Sequence, residues 1–351
     1  MNRLRKLGVG LLLPLAIGLA ILSLLLWGLG YDPVAGLRAL WSGAFGSWYA
    51  LTSATLVRAT PLIILGLGFA LAFRGGALNI GMEGQFLAGA IAATWVGVRV
   101  DAWHPLLAVP AVWIAGILAG VLWVLVPVLL KVRLGVLEVI TTLLLNFVAE
   151  AVVSYMVQGP LQEASRVYPQ SDPIALAAQL PLLGGTRLHL GFVVGLVLAG
   201  AGAVIFARSV WGFRLKAVGA GPRAAWMIGR IPSAKLLAAA LLISGAFAGL
   251  GGAIEVGGVT HALFQNLSPG YGFTAIAVAL LARGNPMGIV GTGLLFGALE
   301  AGASAMQRDA GIPSVAVSIV QATVIIVILL SDVAARRRQA LTGAPEVVEV
   351  E

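Results

Sequence analysis

The chain has 351 residues, of which 60% are hydrophobic and only 10% charged, with a mean hydropathy of +1.00. A soluble domain carries about 25% charged residues, so this composition cannot supply the polar surface of a soluble protein and indicates a polytopic membrane protein. The net charge of +8 does not point to nucleic acid, because the basic residues stand at the ends of apolar runs, a distribution that sets membrane orientation.

The first apolar run, 7–29, follows a basic start. It exceeds the about 7–15 apolar residues of a signal-peptide core and is long enough for a bilayer core of about 30 Å. It reads as a retained first span. Residues 35–50 read as an interfacial helix. Apolar runs at 56–73, 76–98, 105–130, 136–157, 188–207, 236–257, 271–282, 288–306 and 312–331 bring the expected spans to ten. The run 271–282 is short of the about 20 residues a continuous spanning helix needs. It is flanked by Gly270, Gly272, Gly284 and Pro286, so it is expected to be broken or re-entrant. Residues 158–187, with Pro160, Pro169, Pro173 and Pro181, form the longest polar loop. Residues 1–338 are expected to be one transmembrane domain and 339–351 a disordered tail.

Ten alternating spans with both termini in the cytoplasm leave only Arg38, Arg58, Arg99, Arg166, Arg187 and Arg308 outside, of 22 Lys and Arg in all. That bias supports the orientation and makes 208–235 a cytoplasmic loop. The segments 71–84 and 280–293 share Arg-Gly and a Gly ten residues after the Arg. Matching Gly/Pro-interrupted segments mark internal repeats in transporters, but this match is too small to establish one in a chain with 46 glycines.

The span 136–157 holds a polar residue at every fourth position: Glu138, Thr142, Asn146, Glu150, Ser154 and, just beyond, Gln158. This spacing lays them along one helical ridge. The ridge must face protein or a wet cavity rather than lipid, and six polar residues in register exceed what interhelical hydrogen bonding needs. In "ALNIGMEGQF", Ala77 to Phe86, Asn79 and Glu83 share a face if helical, Gln85 adds an amide, and Gly81 and Gly84 allow close backbone approach. An acid this deep in an apolar segment is a functional candidate. Asn79, Glu83, Gln85, Thr142, Asn146 and Glu150 are therefore the expected substrate-path residues. Glu83 could instead pair with Arg74, and Glu255 and Glu300 read as structural.

No cysteine is present, and His104, His189 and His261 show no metal-ligand spacing. No phosphate-binding G-x-x-x-x-G-K-[ST] motif and no hydrolase signature occurs. The chain reads as a non-catalytic subunit without a cofactor of its own, so any ATP and magnesium belong to another polypeptide.

Within 208–235, Pro222 suits a helix start and Gly229 a helix end. "PRAAWMIG" thus reads as a two-turn helix carrying Arg223, Trp226, Met227 and Ile228, with Arg230 following, in a loop that also contains Arg208, Arg214, Lys216 and Lys235. Such a helix can dock into a groove on a soluble partner or lie on anionic lipid.

"KAVGAGPRAAWMIGRIP" resembles the cytoplasmic coupling loop of permease subunits in bacterial ABC importers. "ALNIGMEGQFLAGA", "EVITTLLLNFVAE" and "GYGFTAIAVALLARGNPMGIVGTGLLFGAL" resemble one branch, the nucleoside and simple-sugar permeases that work with basic-membrane-protein-type lipoproteins, within the branched-chain amino acid/ribose permease superfamily. The resemblance covers residues 59–331; Gly221 departs from it, since the family commonly has Asn before the Pro. It implies a type II-like importer fold and a nucleoside permease of the bacterial cytoplasmic membrane. It also implies a heterodimer with a second permease, ATP-binding cassette subunits and an extracellular substrate-binding lipoprotein. Lys216, Gly219, Pro222, Arg223, Ala224, Trp226 and Arg230 would couple the chain to the ATPase. The alternatives are a permease for ribose-like sugars or branched-chain amino acids, and an ion-coupled secondary transporter with Glu83 or Glu150 as its ion site.

Overall fold

The computed structural model describes residues 16–313 and separate positions between 315 and 327. The basic N-terminal start, the cluster Arg336, Arg337 and Arg338, and the tail 339–351 lie outside the described residues, as do parts of the first and last expected spans. Among the described residues there are helices and no strands. They are α1 (Ala16–Gly28), α2 (Pro33–Phe45), the single turn α3 (Trp48–Ala50), and α4 (Leu56–Arg74), which a π turn over Leu51–Thr55 precedes. Then come α5 (Met82–Gly97), α6 (Pro105–Leu134), α7 (Glu138–Gln158), α8 (Leu190–Arg208), α9 (Val210–Ala220), α10 (Pro222–Gly229) and α11 (Ser233–Glu255), which a second π turn extends to Thr260. The series ends with α12 (Tyr271–Leu281) and α13 (Pro286–Ala310).

Among the described residues, six helices are long and apolar enough to cross a membrane: Trp48–Arg74, Pro105–Leu134, Glu138–Gln158, Leu190–Arg208, Ser233–Thr260 and Pro286–Ala310. They match six of the ten expected spans. Ala16–Gly28 and Tyr271–Leu281 are shorter. The expected span 76–98 contracts to α5, 16 residues long, because the backbone leaves the helical path between Gly76, with φ of +84°, and Gly81. The expected interfacial helix over 35–50 is helical, as α2 and α3. Asp32 caps α2, its Oδ1 accepting from Val34 N, with Pro33 in the first turn.

The described residues form two compact units, one of residues 56–295 and one of those described within 1–55 and 296–351. In the second, Leu22, Leu26 and Ala39 pack with Leu299, Met306 and Ile312 in a buried cluster.

In the larger unit α5 is buried on nearly every side, and small residues allow this. A methyl group at Gly89 would lie 2.3 Å from the Gly249 carbonyl oxygen, and one at Gly249 would lie 2.1 Å from that of Gly116. α5, α6 and α11 therefore meet backbone to backbone, the close approach that small residues permit between membrane helices. α7 and α8 instead bury one stripe each, and Ile140, Leu144 and Phe147 of α7 face outward.

The polar segment 159–189 contains one short 3₁₀ turn, Leu176–Ala178, and is fastened to the end of α11. Ser171 N donates to Leu263 O at 2.7 Å, Ile174 N to His261 O at 2.8 Å and Leu180 N to Gly257 O at 2.8 Å. His189 ends the segment fully buried, its Nδ1 accepting from Gly191 N. Burial, with the neighbouring His261 adding to it, lowers the His189 pKa to about 4.

Gly249→Ala is expected to lower the melting temperature of the purified protein by several degrees, since overpacking costs about 1–3 kcal/mol. Gly200→Ala, with nothing within 4 Å of the added methyl, should leave it unchanged; thermal unfolding in detergent compares them. The depressed His189 pKa predicts stability that is full above the unfolded value of about 6.5 and declines as the pH falls to about 4, by about 3 kcal/mol in all. Hydrogen-exchange protection at Ile174 and Leu180, taken relative to the intrinsic exchange rate at each pH, should fall over that window, and His189→Asn should flatten the fall.

Candidate functional site

Two helices of the larger unit begin away from the ends of their neighbours, and at each the N-cap residue is a glycine with no side chain to cap it. The first four N–H groups of any helix lack intrahelical partners, so both openings need acceptors from elsewhere.

α5 opens at Gly81, where no side chain caps it. Asn146, from α7, supplies the cap: its Oδ1 accepts from Gly84 N at 2.8 Å, and its Nδ2 donates to Ile80 O at 3.0 Å. Asn79 and Gln85 brace the same turn by a reciprocal amide pair, Asn79 Nδ2 to Gln85 Oε1 at 2.8 Å and Gln85 Nε2 to Asn79 Oδ1 at 2.9 Å. Asn79 Nδ2 also donates to Ser244 Oγ of α11 at 2.9 Å, and Asn79 Oδ1 accepts from Gly81 N at 3.2 Å. Thr142 lies against Gly81, where an added methyl would come within 2.8 Å of its Cβ, and its hydroxyl donates to Glu138 O at 2.7 Å. Glu138 pairs with Lys131 of α6.

α12 opens at Gly270, with φ of +93° and again no side-chain cap. Here Glu83 of α5 is the acceptor: its Oε2 takes the Gly272 N–H at 2.6 Å, and the Ser268 hydroxyl also bonds it. Ser268 Oγ in turn accepts from Gly270 N and Tyr271 N. A carboxylate at a helix N-terminus is favourably placed. Gly272 is required for this contact, since a methyl there would lie 2.3 Å from Glu83 N.

Beside this junction is a cavity of about 230 Å³, whose polar wall is Glu83, Glu150, Ser154, Gln265, Asn266 and Ser268. Gln265 Nε2 and Gln158 Nε2 both donate to Ser154 Oγ at 2.7 Å. Asn266 sits at φ of +58°, a left-handed conformation that Asn tolerates better than most residues.

The expected path residues thus separate into two groups. Glu83 and Glu150 line the cavity. Asn79, Gln85, Thr142 and Asn146 are at most 1% exposed, satisfy the polar groups around the opening of α5, and do not line it. The polar ridge divides likewise: Glu138, Thr142 and Asn146 are buried, whereas Glu150 and Ser154 face the cavity. Arg74 does not turn to Glu83; its guanidinium lies 4.6 Å from the centre of the Phe206 ring. Gln265, Asn266 and Ser268 are wall residues that periodicity and motif spacing do not single out. Their signal is the polar run "FQNLSPG" between two apolar runs, directly before the short helix.

In the loop 208–235, α10 covers the expected residues, Pro222 to Gly229, with Gly221 as an N-cap that offers no side chain. The left-handed residue that ends it is Arg230, at φ of +50°, rather than Gly229. α9 was not expected; Ser209 caps it, its Oγ accepting from Gly212 N at 2.9 Å. Trp226, Met227 and Ile228 are 53%, 67% and 90% exposed, and Arg223, Trp226, Met227 and Lys235 border an open groove. The Arg230 guanidinium is 5.0 Å from the Trp226 ring centre. Gly219 abuts the turn after α4, where an added methyl would lie 2.1 Å from Arg74 O. That turn leads directly into Asn79 and α5.

Three relatives are similar to this chain over most of its length. A guanosine ABC transporter permease protein of Bacillus subtilis is 37% identical, covering 91% of this chain and 92% of its own. A glucose ABC transporter permease protein of Haloferax volcanii is 36% identical, covering 91% and 86%. A nucleoside ABC transporter permease protein of Lactococcus lactis subsp. cremoris is 33% identical, covering 92% and 91%. The same three organisms each hold a second relative, 26–29% identical over 69–72% of this chain. The family model described as "branched-chain amino acid transport system / permease component" matches residues 51–329. With a bundle of apolar helices and a family match over most of its length, the chain belongs to that family of transport permeases.

Proposed function

We propose that this chain is the permease subunit of an ATP-driven importer and that it moves nucleosides across the bacterial cytoplasmic membrane. The observation that carries the reading is the polar cavity at the Glu83–α12 junction, built within an apolar helical unit. A polar cavity among apolar helices, beside helices that begin inside the bundle, is the form a transporter's solute site takes. The guanosine and nucleoside permeases among the relatives support the solute class. The glucose permease supports a second reading, a sugar. A zwitterionic amino acid fits less well, since no basic side chain among the described residues lines the cavity to meet its carboxylate.

Ten spans with both termini in the cytoplasm complete the proposal, with 1–338 as the membrane domain and 339–351 as a cytoplasmic tail. The chain itself catalyses nothing. ATP and magnesium are used by ATP-binding cassette subunits, and a lipoprotein receptor delivers the solute from outside. A second permease forms the other half of the pathway; the second relative in each of the three organisms supports this pairing.

Glu83 and Glu150 would meet the solute, while Asn79, Gln85, Thr142 and Asn146 hold the opening of α5 in place. Arg223, Ala224, Trp226 and Arg230 on and beside α10, with Pro222 setting its start, would dock on the ATPase, and Lys216 would add charge to the same face. Gly219 has a different role. Its contact with Arg74 O would pass a displacement of α9 and α10 to the turn that carries Asn79 and α5.

In the reconstituted complex, Arg223→Ala with Trp226→Ala is expected to cut solute-stimulated ATP hydrolysis and uptake at least tenfold; unchanged coupling would refute the docking role. Asn146→Leu strands Gly84 N–H and Ile80 O, at about 1–3 kcal/mol for each buried unsatisfied group. It is expected to lower the melting temperature and to impair uptake in whatever complex assembles; normal uptake and stability would refute the bracing role.

A further inference from the structure

The cavity carries a charge pattern beyond what transport of a neutral nucleoside requires. Two acidic side chains face it, Glu83 and Glu150, and no Lys, Arg or His is among the described residues that line it. Glu83 is fixed in position by Gly272 N–H and Ser268. Glu150 is exposed on α7, one turn before Ser154, and borders the same cavity as Glu83. One N–H of the Gln265 amide is held by Ser154 Oγ, and the rest of the wall, Asn266 with Ser154 and Ser268, is neutral. A solute entering here meets acceptors and negative charge.

We propose that Glu83 and Glu150 make this cavity an anion-excluding filter. It admits neutral or cationic solutes rich in hydroxyl and amino donors, and it rejects phosphorylated nucleosides, sugar phosphates and free carboxylates. In a site partly shielded from water, one sign of charge on the walls concentrates ions of the other sign and depletes its own. The filter would refuse a nucleotide at the permease even when a receptor delivered one. The inference rests on the cavity's being part of the solute path, and it deepens that reading.

The chain has no cysteine, so a single introduced thiol can report the field. Ser154→Cys is made in the full transporter complex and reacted with cationic and anionic methanethiosulfonates of similar size. Modification is followed by the mass of this chain, and the ratio of rates is compared with that on a free thiol. The cationic reagent is expected to be favoured about tenfold over the free-thiol ratio. Glu150→Gln should reduce the preference several-fold, and Glu83→Gln with Glu150→Gln should abolish it. A ratio equal to that of the free thiol, or one unchanged by both neutralisations, overturns the proposal. Asn266→Cys serves as a second position, and if neither thiol reacts with any reagent the cavity admits no solute and the proposal falls.

Uptake measured on the labelled complexes separates this inference from the transport reading. A charge-selective thiol whose labelling leaves uptake intact removes the cavity from the path. A non-selective thiol whose labelling blocks uptake keeps the path and removes the filter.

Discussion

A helix that starts inside an apolar bundle cannot leave its first N–H groups bare, and in this protein that constraint is met across helices. α5 is capped by Asn146 of α7, and α12 by Glu83 of α5. Lipid offers no partner to such groups, and each one left unsatisfied costs several kcal/mol. The caps therefore dictate the order of the neighbours: α7 must lie against the opening of α5, and α5 against the opening of α12. The cavity is the space beside the second of these junctions.

Glycine packing makes the first constraint achievable. Asn146 reaches the Ile80–Gly84 turn because Gly81 and Gly84 present bare backbone to α7, and Gly272 lets α12 approach Glu83. On the far side of α5, Gly89 and Gly249 bring the backbones together and leave no room for rotation of the helix about its axis. Rigid placement of α5 and adaptable polar chemistry at its open end are thus parts of one arrangement. α9, fitted against Arg74 O through Gly219, joins that arrangement from the side of the basic loop.

Much of this was legible in the chain. The apolar runs indicated the helical class, and Pro222 with Gly229 marked α10. Six polar residues at fourfold spacing marked α7, and Glu83 marked α5. Periodicity could not say that the ridge would divide, with Asn146 turned to a backbone and Glu150 to a cavity. That outcome depends on which helix packs where, and Asn is as able to cap as to bind. The wall residues Gln265, Asn266 and Ser268 belong to an irregular stretch with no period, so only their polarity between apolar runs could have drawn notice. The early start expected for α5 failed because apolar composition does not register the unwound turn from Gly76 to Gly81.

The separation of the caps along the chain bears on how the protein is made. Gly84 waits 62 residues for Asn146, and Glu83 waits 189 residues for Gly272. A nascent chain leaving the ribosome therefore holds α5 with its leading end unfinished until α7 arrives. Glu83 stays without its final partner until most of the polypeptide has been synthesised. During biogenesis the half-built bundle must keep that carboxylate near water or in the care of the insertion machinery, so a product truncated before Gly272 carries a built-in mark of incompleteness.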